Sequence, residues 1–131
     1  VSIYKTSGNS DSHIILRGGK EPNFSSDAIQ QTLAALVEAD VNDSIMVDAS
    51  HGNSQKQFKK QIDVVKNLAE QISLGNQSLR GLMLESHLVE GNQSITETLT
   101  YGQCITDGCM NWDDTLNCLN IISEAVQKRR G

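Results

Sequence analysis

At 131 residues, 37% hydrophobic and only 4% aromatic, the chain is one lean globular domain's worth of sequence. Its net charge of −5 and pI near 5.0 argue against non-specific nucleic-acid or anionic-membrane binding. No apolar run approaches a transmembrane span of about 18 residues, and the N-terminus has no signal-peptide pattern; three cysteines without a CxxC pair fit a reducing cytosol rather than a disulfide framework.

In chain order, Val1 to Lys5 reads as a short strand and Thr6 to Ser12 as turn chemistry. His13 to Leu16 is an apolar strand that stops at Arg17-Gly18-Gly19. Ser25 or Ser26 caps a helix to about Ala39, with Ile29, Leu33, Leu36 and Val37 on one face. A turn over Asp40 to Asp43 leads to a strand at Ser44 to Asp48 and a Gly/Asn-rich loop at Ser50 to Ser54. Gln55 to Leu74 has the period of a long amphipathic helix, carrying Phe58, Ile62, Val65, Leu68, Ala69 and Ile72, with Gly75 suited to its C-terminal cap. Leu79 to Leu84 is another buried strand, Val89 to Gly102 a long loop, and Cys104 to Asp107 a short extended piece. The last helix opens at Trp112 and runs to about Lys128, with Leu116, Leu119, Ile122 and Val126 inward.

Alternating strands and helices predict βαβ units around a parallel sheet, and continuous apolar strands are those buried on both faces. Three such units are too few for an eight-fold barrel, which takes about 250 residues. Length therefore allows a small open α/β sheet or part of a barrel.

Chemistry-bearing residues collect at the C-terminal ends of these strands, where barrels keep their active sites. Arg17, before two glycines, offers a bidentate fork to a phosphate or carboxylate, though alone it also fits a solvent-exposed turn. His51 offers an imidazole suited to Zn, Mn, Fe or Co, or a structural hydrogen bond. Glu85 ends an apolar run, where a carboxylate is costly unless paired or metal-bound, and Asp107 presents the same choice. His51, Glu85 and Asp107 lie 34 and 22 residues apart, near the pitch of successive βα units. One nitrogen and two carboxylates suit a divalent transition metal, with Arg17 as a neighbouring anion subsite. Lys56, Lys59 and Lys60 read as a solvated helix face, and His13 and His87 as structural or loop histidines. Cys104 and Cys109 read as small buried residues. A Ser50-His51-Asp48 triad is discounted, because near neighbours do not easily converge into a relay.

The strings HIILRGGKEPNF, VDASHGNSQKQFKKQ, LMLESHLVEGNQS and YGQCITDGCMNWDDT, in this order, closely resemble the C-terminal part of class I 3-deoxy-D-arabino-heptulosonate 7-phosphate (DAHP) synthases. The resemblance runs from Val1 to Gly131. It implies an α/β fold comprising strands six to eight of a (β/α)8 TIM barrel and their helices, with residues 1–12 ending an inserted regulatory hairpin and 13–131 forming the last three βα units. It further implies a metal-dependent, cytoplasmic, homo-oligomeric shikimate-pathway enzyme that condenses phosphoenolpyruvate with erythrose 4-phosphate. The family motifs place metal ligands at His51 (SHxN), Glu85 (ESH) and Asp107 (ITD), and a phosphoenolpyruvate contact at Arg17 (ILRGG). The metal would be of the Mn, Fe, Co or Zn class. The family's cysteine ligand belongs to the first barrel strand and has no counterpart here; Cys104, Cys109 and Cys118 come too late in sequence. The 131-residue chain alone is therefore expected to be inactive. The alternatives are a non-catalytic, self-associating subdomain and an autonomous metal-binding α/β module.

Overall fold

Three short strands run parallel to one another, the first two each leading through a loop into a helix. The structure, a computed structural model, describes residues 2–131. The strands are β1 (Ile14–Leu16), β2 (Ile45–Asp48) and β3 (Leu79–Met83), hydrogen-bonded in the order β1-β2-β3. Helix α1 (Ser26–Glu38) joins the first pair and α2 (Gln61–Ser73) the second. A two-stranded parallel ladder of β4 (Val89–Asn92) and β5 (Gln103–Cys104) follows, and α3 (Trp112–Arg130) closes the chain.

Local chemistry sets the helix ends. The Ser25 hydroxyl accepts from the Ala28 N–H at the start of α1, and the Asn111 side chain accepts from the Asp114 N–H at the start of α3. Gly75, at φ +103°, ends α2; its N–H donates to the Ile72 carbonyl, and that of Asn76 to the Gln71 carbonyl. Lys128, Arg129 and Arg130 lie in the last turn of α3, where positive charge suits the helix dipole.

The core lies between one face of the sheet and the helices. Ile29 of α1, Ile45 and Val47 of β2, and Val65 and Leu68 of α2 are buried in one cluster with Met110 and Cys118. Each large aliphatic side chain so enclosed contributes about 1.5–3 kcal/mol. The opposite face is open: the register aligns Ile15, Met46 and Gly81 in one row, and Ile15 is 44% exposed. β1 and β3 are both edge strands.

Several sequence expectations change. Residues 2–5 form no strand, and Val1 lies outside the described residues. The long helix begins at Gln61, after a 3₁₀ turn at Phe58–Lys60, because Gln55 and Lys56 take positive φ values of +53° and +59° that no helix continues through. The expected loop from Val89 starts as β4, because its partner β5 lies eleven or more residues further on, beyond a local reading. On α3 the inward face is Thr115, Cys118 and Ala125, with Ile122 and Val126 partly buried, whereas Leu116 and Leu119 are exposed. Val37 of α1 also faces solvent.

Candidate metal centre

The loop after β2 delivers His51 in a left-handed conformation, at φ +46°. Asn53, 3% exposed, ties this loop to both strand ends. Its Nδ2 donates to the carbonyls of Leu16 (3.1 Å) and Asp48 (2.8 Å), and its Oδ1 accepts from the Asn23 N–H at 2.8 Å. The backbones of Gly18 and Gly52 touch, and the Gly52 N–H donates to the Arg17 carbonyl at 3.1 Å. Arg17 and His51 are therefore carried on two loops that support each other.

Glu85 is held from behind by Gln61, the first residue of α2, which is fully buried. Gln61 Nε2 donates to the Glu85 carbonyl at 3.1 Å, and its Oε1 accepts from the Glu85 N–H at 2.9 Å. Asp107 follows β5 on a turn packed against the Phe58 ring at Gly108. Cys109 and Gly91 exchange two backbone hydrogen bonds, and the Met110 N–H donates to the Glu85 carbonyl at 3.0 Å. These bonds join the Asp107 turn to the end of the Glu85 strand.

As a result, one ligand atom from each of His51, Glu85 and Asp107 lies within 4.8 Å of the others. His51 Nε2 is 3.4 Å from Glu85 Oε1. A cavity of about 60 Å³ opens on the cluster, lined also by Ser54, Lys56, Phe58, Gln61 and Gly108. That is room for an ion and a few water-sized ligands. Burial pushes the Glu85 carboxyl above its ordinary range; His51 opposes this, Asp107 and Asp48 reinforce it, and Arg17 opposes it. Two crowded carboxylates beside an imidazole fit a divalent cation by charge, donor type and spacing. Arg17 is exposed and electrostatically coupled to Glu85, so it stands at the rim.

Asp48, Ser50 and His51, discounted as a triad because near neighbours do not easily converge, do come together, but not as a relay. Asp48 Oδ2 and Ser50 Oγ both contact His51 Nδ1, at 2.8 and 2.7 Å, so the hydroxyl is not at the nitrogen that faces the cavity. Lys56 lines the cavity, Lys59 bridges Glu90 and Asp114, and Lys60 bonds Gln55. The exposed His87 accepts the Leu88 N–H at Nδ1, as a loop histidine does. Cys104 is half-buried rather than buried, and the Thr106 hydroxyl lowers its thiol below the usual range. Burial pushes the Cys109 thiol up to about 11.

The family model described as "DAHP synthetase I family" matches residues 1–120. The chain belongs to the DAHP synthetase I family. The Phe-sensitive phospho-2-dehydro-3-deoxyheptonate aldolase of Escherichia coli K12 is 50% identical over 99% of the chain, and the Trp-sensitive one 44% over 98%. The corresponding aldolase of Haemophilus influenzae is 46% identical. The solved phospho-2-dehydro-3-deoxyheptonate aldolase of Francisella tularensis superposes with a TM-score of 0.94 at 46% identity, over 99% of this chain. The chain spans about 38% of the length of the two Escherichia coli relatives and of the solved structure.

Sequence reasoning overlooked Asp48, Gln61 and Asn53 as supports of the site. Asp48 was legible in principle, three residues before His51 in the string VDASH. Gln61 bonds backbone 24 residues away, and Asn53, the last residue of the SHxN string, reaches Leu16 and Asn23 as well as nearby Asp48; neither local string marks those contacts.

Proposed function

We propose that this chain forms strands six to eight of a (β/α)8 barrel, with their helices, in a cytoplasmic, homo-oligomeric DAHP synthase. On this reading residues 1–12 end a regulatory hairpin, and the whole protein condenses phosphoenolpyruvate with erythrose 4-phosphate to DAHP and phosphate. The observation that carries the reading is the convergence of His51, Glu85 and Asp107 within 4.8 Å at strand ends of a chain from this family.

His51 Nε2 and the carboxylates of Glu85 and Asp107 would hold a divalent metal of the Mn, Fe, Co or Zn class. When bound, the metal supplies Lewis acidity at the aldehyde oxygen. Arg17 at the rim neutralises part of the phosphate and carboxylate charge of phosphoenolpyruvate. Phe58, against the Asp107 turn, forms an apolar wall of the cavity. Among the described residues the cluster includes no sulfur ligand; the resemblance assigns the fourth ligand to a cysteine of the first strand, in sequence outside this chain.

An assay of the full-length protein carrying this chain tests the reading. The expected result is DAHP and phosphate release that stops with a chelator, resumes with Mn(II), and is lost in His51→Gln. Turnover indifferent to chelation and to His51→Gln would contradict it. The isolated chain is expected to be inactive.

A further inference from the structure

The contacts behind His51 carry an inference that rests on the metal-site reading. Asp48 ends β2 and is 1% exposed. Its Oδ1 accepts from both the N–H and the hydroxyl of Ser50, at 2.9 and 2.6 Å. Its Oδ2 faces His51 Nδ1 at 2.8 Å, and Ser50 Oγ lies 2.7 Å from the same nitrogen. The Ser50 proton is committed to Asp48, so its oxygen is an acceptor toward the ring. Both groups at Nδ1 therefore accept at short distance, whereas the acceptor facing Nε2, Glu85 Oε1, is 3.4 Å away, so the proton of a neutral imidazole belongs on Nδ1. That leaves the Nε2 lone pair aimed at Glu85 and Asp107.

We propose that Asp48, aided by Ser50, is a positioning residue that locks His51 in the Nδ1–H tautomer and fixes its ring as a ligand. The backbone alone does not do this: His51 sits on a left-handed loop residue, and the only side-chain atoms hydrogen-bonding its ring nitrogens come from Asp48 and Ser50, among the described residues. Asp48→Asn keeps the shape and reverses the pattern. Ser50 presents two donors to one position, which draws the amide oxygen there. The amide NH₂ then faces Nδ1, which must become the acceptor, and the proton moves to Nε2.

The test is made on the full-length protein, freed of metal, with ¹⁵N-labelled histidine. Imidazole ¹⁵N shifts are read at about pH 9, well above the ordinary imidazole range, and the His51 signal is assigned by its loss in His51→Gln. The wild type is expected to show Nδ1–H, and Asp48→Asn to show Nε2–H. Mn(II) affinity in Asp48→Asn should fall about 10- to 100-fold, the usual effect of losing such a partner. Ser50→Ala should keep Nδ1–H and lose less affinity than Asp48→Asn. A wild-type Nε2–H signal overturns the proposal, as does an unchanged tautomer in Asp48→Asn. Should Asp48→Asn not fold, the wild-type spectrum alone decides. Failure of the metal-site reading looks different: His51→Gln would then leave Mn(II) affinity unchanged, whatever the tautomer.

Discussion

Glu85 stands where a carboxylate is least comfortable, partly desolvated and facing Asp107. Its folded-state carboxyl holds a proton more tightly than in the unfolded chain. Without metal, then, its contribution to stability is most favourable below the ordinary carboxylate range and is lost as pH rises through its elevated range. Glu85→Gln should flatten that slope, giving a metal-free protein that melts higher near neutral pH yet binds divalent metal more than about 100-fold more weakly. Melting curves in chelator from about pH 4 to 8 check the sign; identical slopes in both proteins would contradict it. The thiols make a second prediction. Cys104, lowered by Thr106, should be alkylated by iodoacetamide before Cys109, raised to about 11, and before the buried Cys118. Peptide mass mapping during the reaction reads the order. At this scale the sequence showed the charged strand-end residues, because a lone charge after an apolar run is conspicuous. It hid Gln61 and Asn53, neutral amides that reach backbone 24 to 37 residues away.

At the scale of elements, the site depends on two loops that touch backbone to backbone. A Cβ on Gly18 would fall 2.5 Å from the Gly52 carbonyl carbon, and Gly18 has φ +75°. Both the clash and the left-handed backbone penalise Gly18→Ala, by about 3 kcal/mol together. Asn53→Ala leaves the Leu16 and Asp48 carbonyls and the Asn23 N–H without their partner, and should cost about 2–4 kcal/mol. Denaturant melts of both variants check these values; a loss under about 0.5 kcal/mol in either would show that the loops do not depend on it. The three parallel strands and their helices were legible because apolar runs, Ser25 and Gly75 announce them locally. The start of α2 and the β4-β5 ladder were not. Left-handed Gln55 and Lys56 are closed by turn bonds to the Gly52 and His51 carbonyls that no apolar period signals, and β4 pairs with β5 through only two matched residue pairs.

At the scale of the whole molecule, apolar surface remains uncovered. Leu82 of β3 and Leu84 just after it, with Leu88, Trp112 and Leu119, line one continuous depression, and β1 and β3 keep open edges. Such surface drives association. On the barrel reading it meets the strands and helices that complete the fold in the longer relatives. The chain alone should therefore self-associate in light scattering, and Leu119→Lys with Leu88→Lys should reduce this without unfolding the core, since both side chains are exposed. A monodisperse monomer would contradict the barrel reading. The fold class was legible from strand–helix alternation; the unfinished face was not, because Leu116 and Leu119 share the helical period of a core-facing stripe. The central claim, that three strand-end residues hold one divalent metal, is tested most directly by Mn(II) titration of the full-length protein followed by electron paramagnetic resonance. One tight site is expected in the wild type, lost in each of His51→Gln, Glu85→Gln and Asp107→Asn, while Arg17→Ala binds normally. Tight binding that survives any of the three ligand substitutions would contradict it.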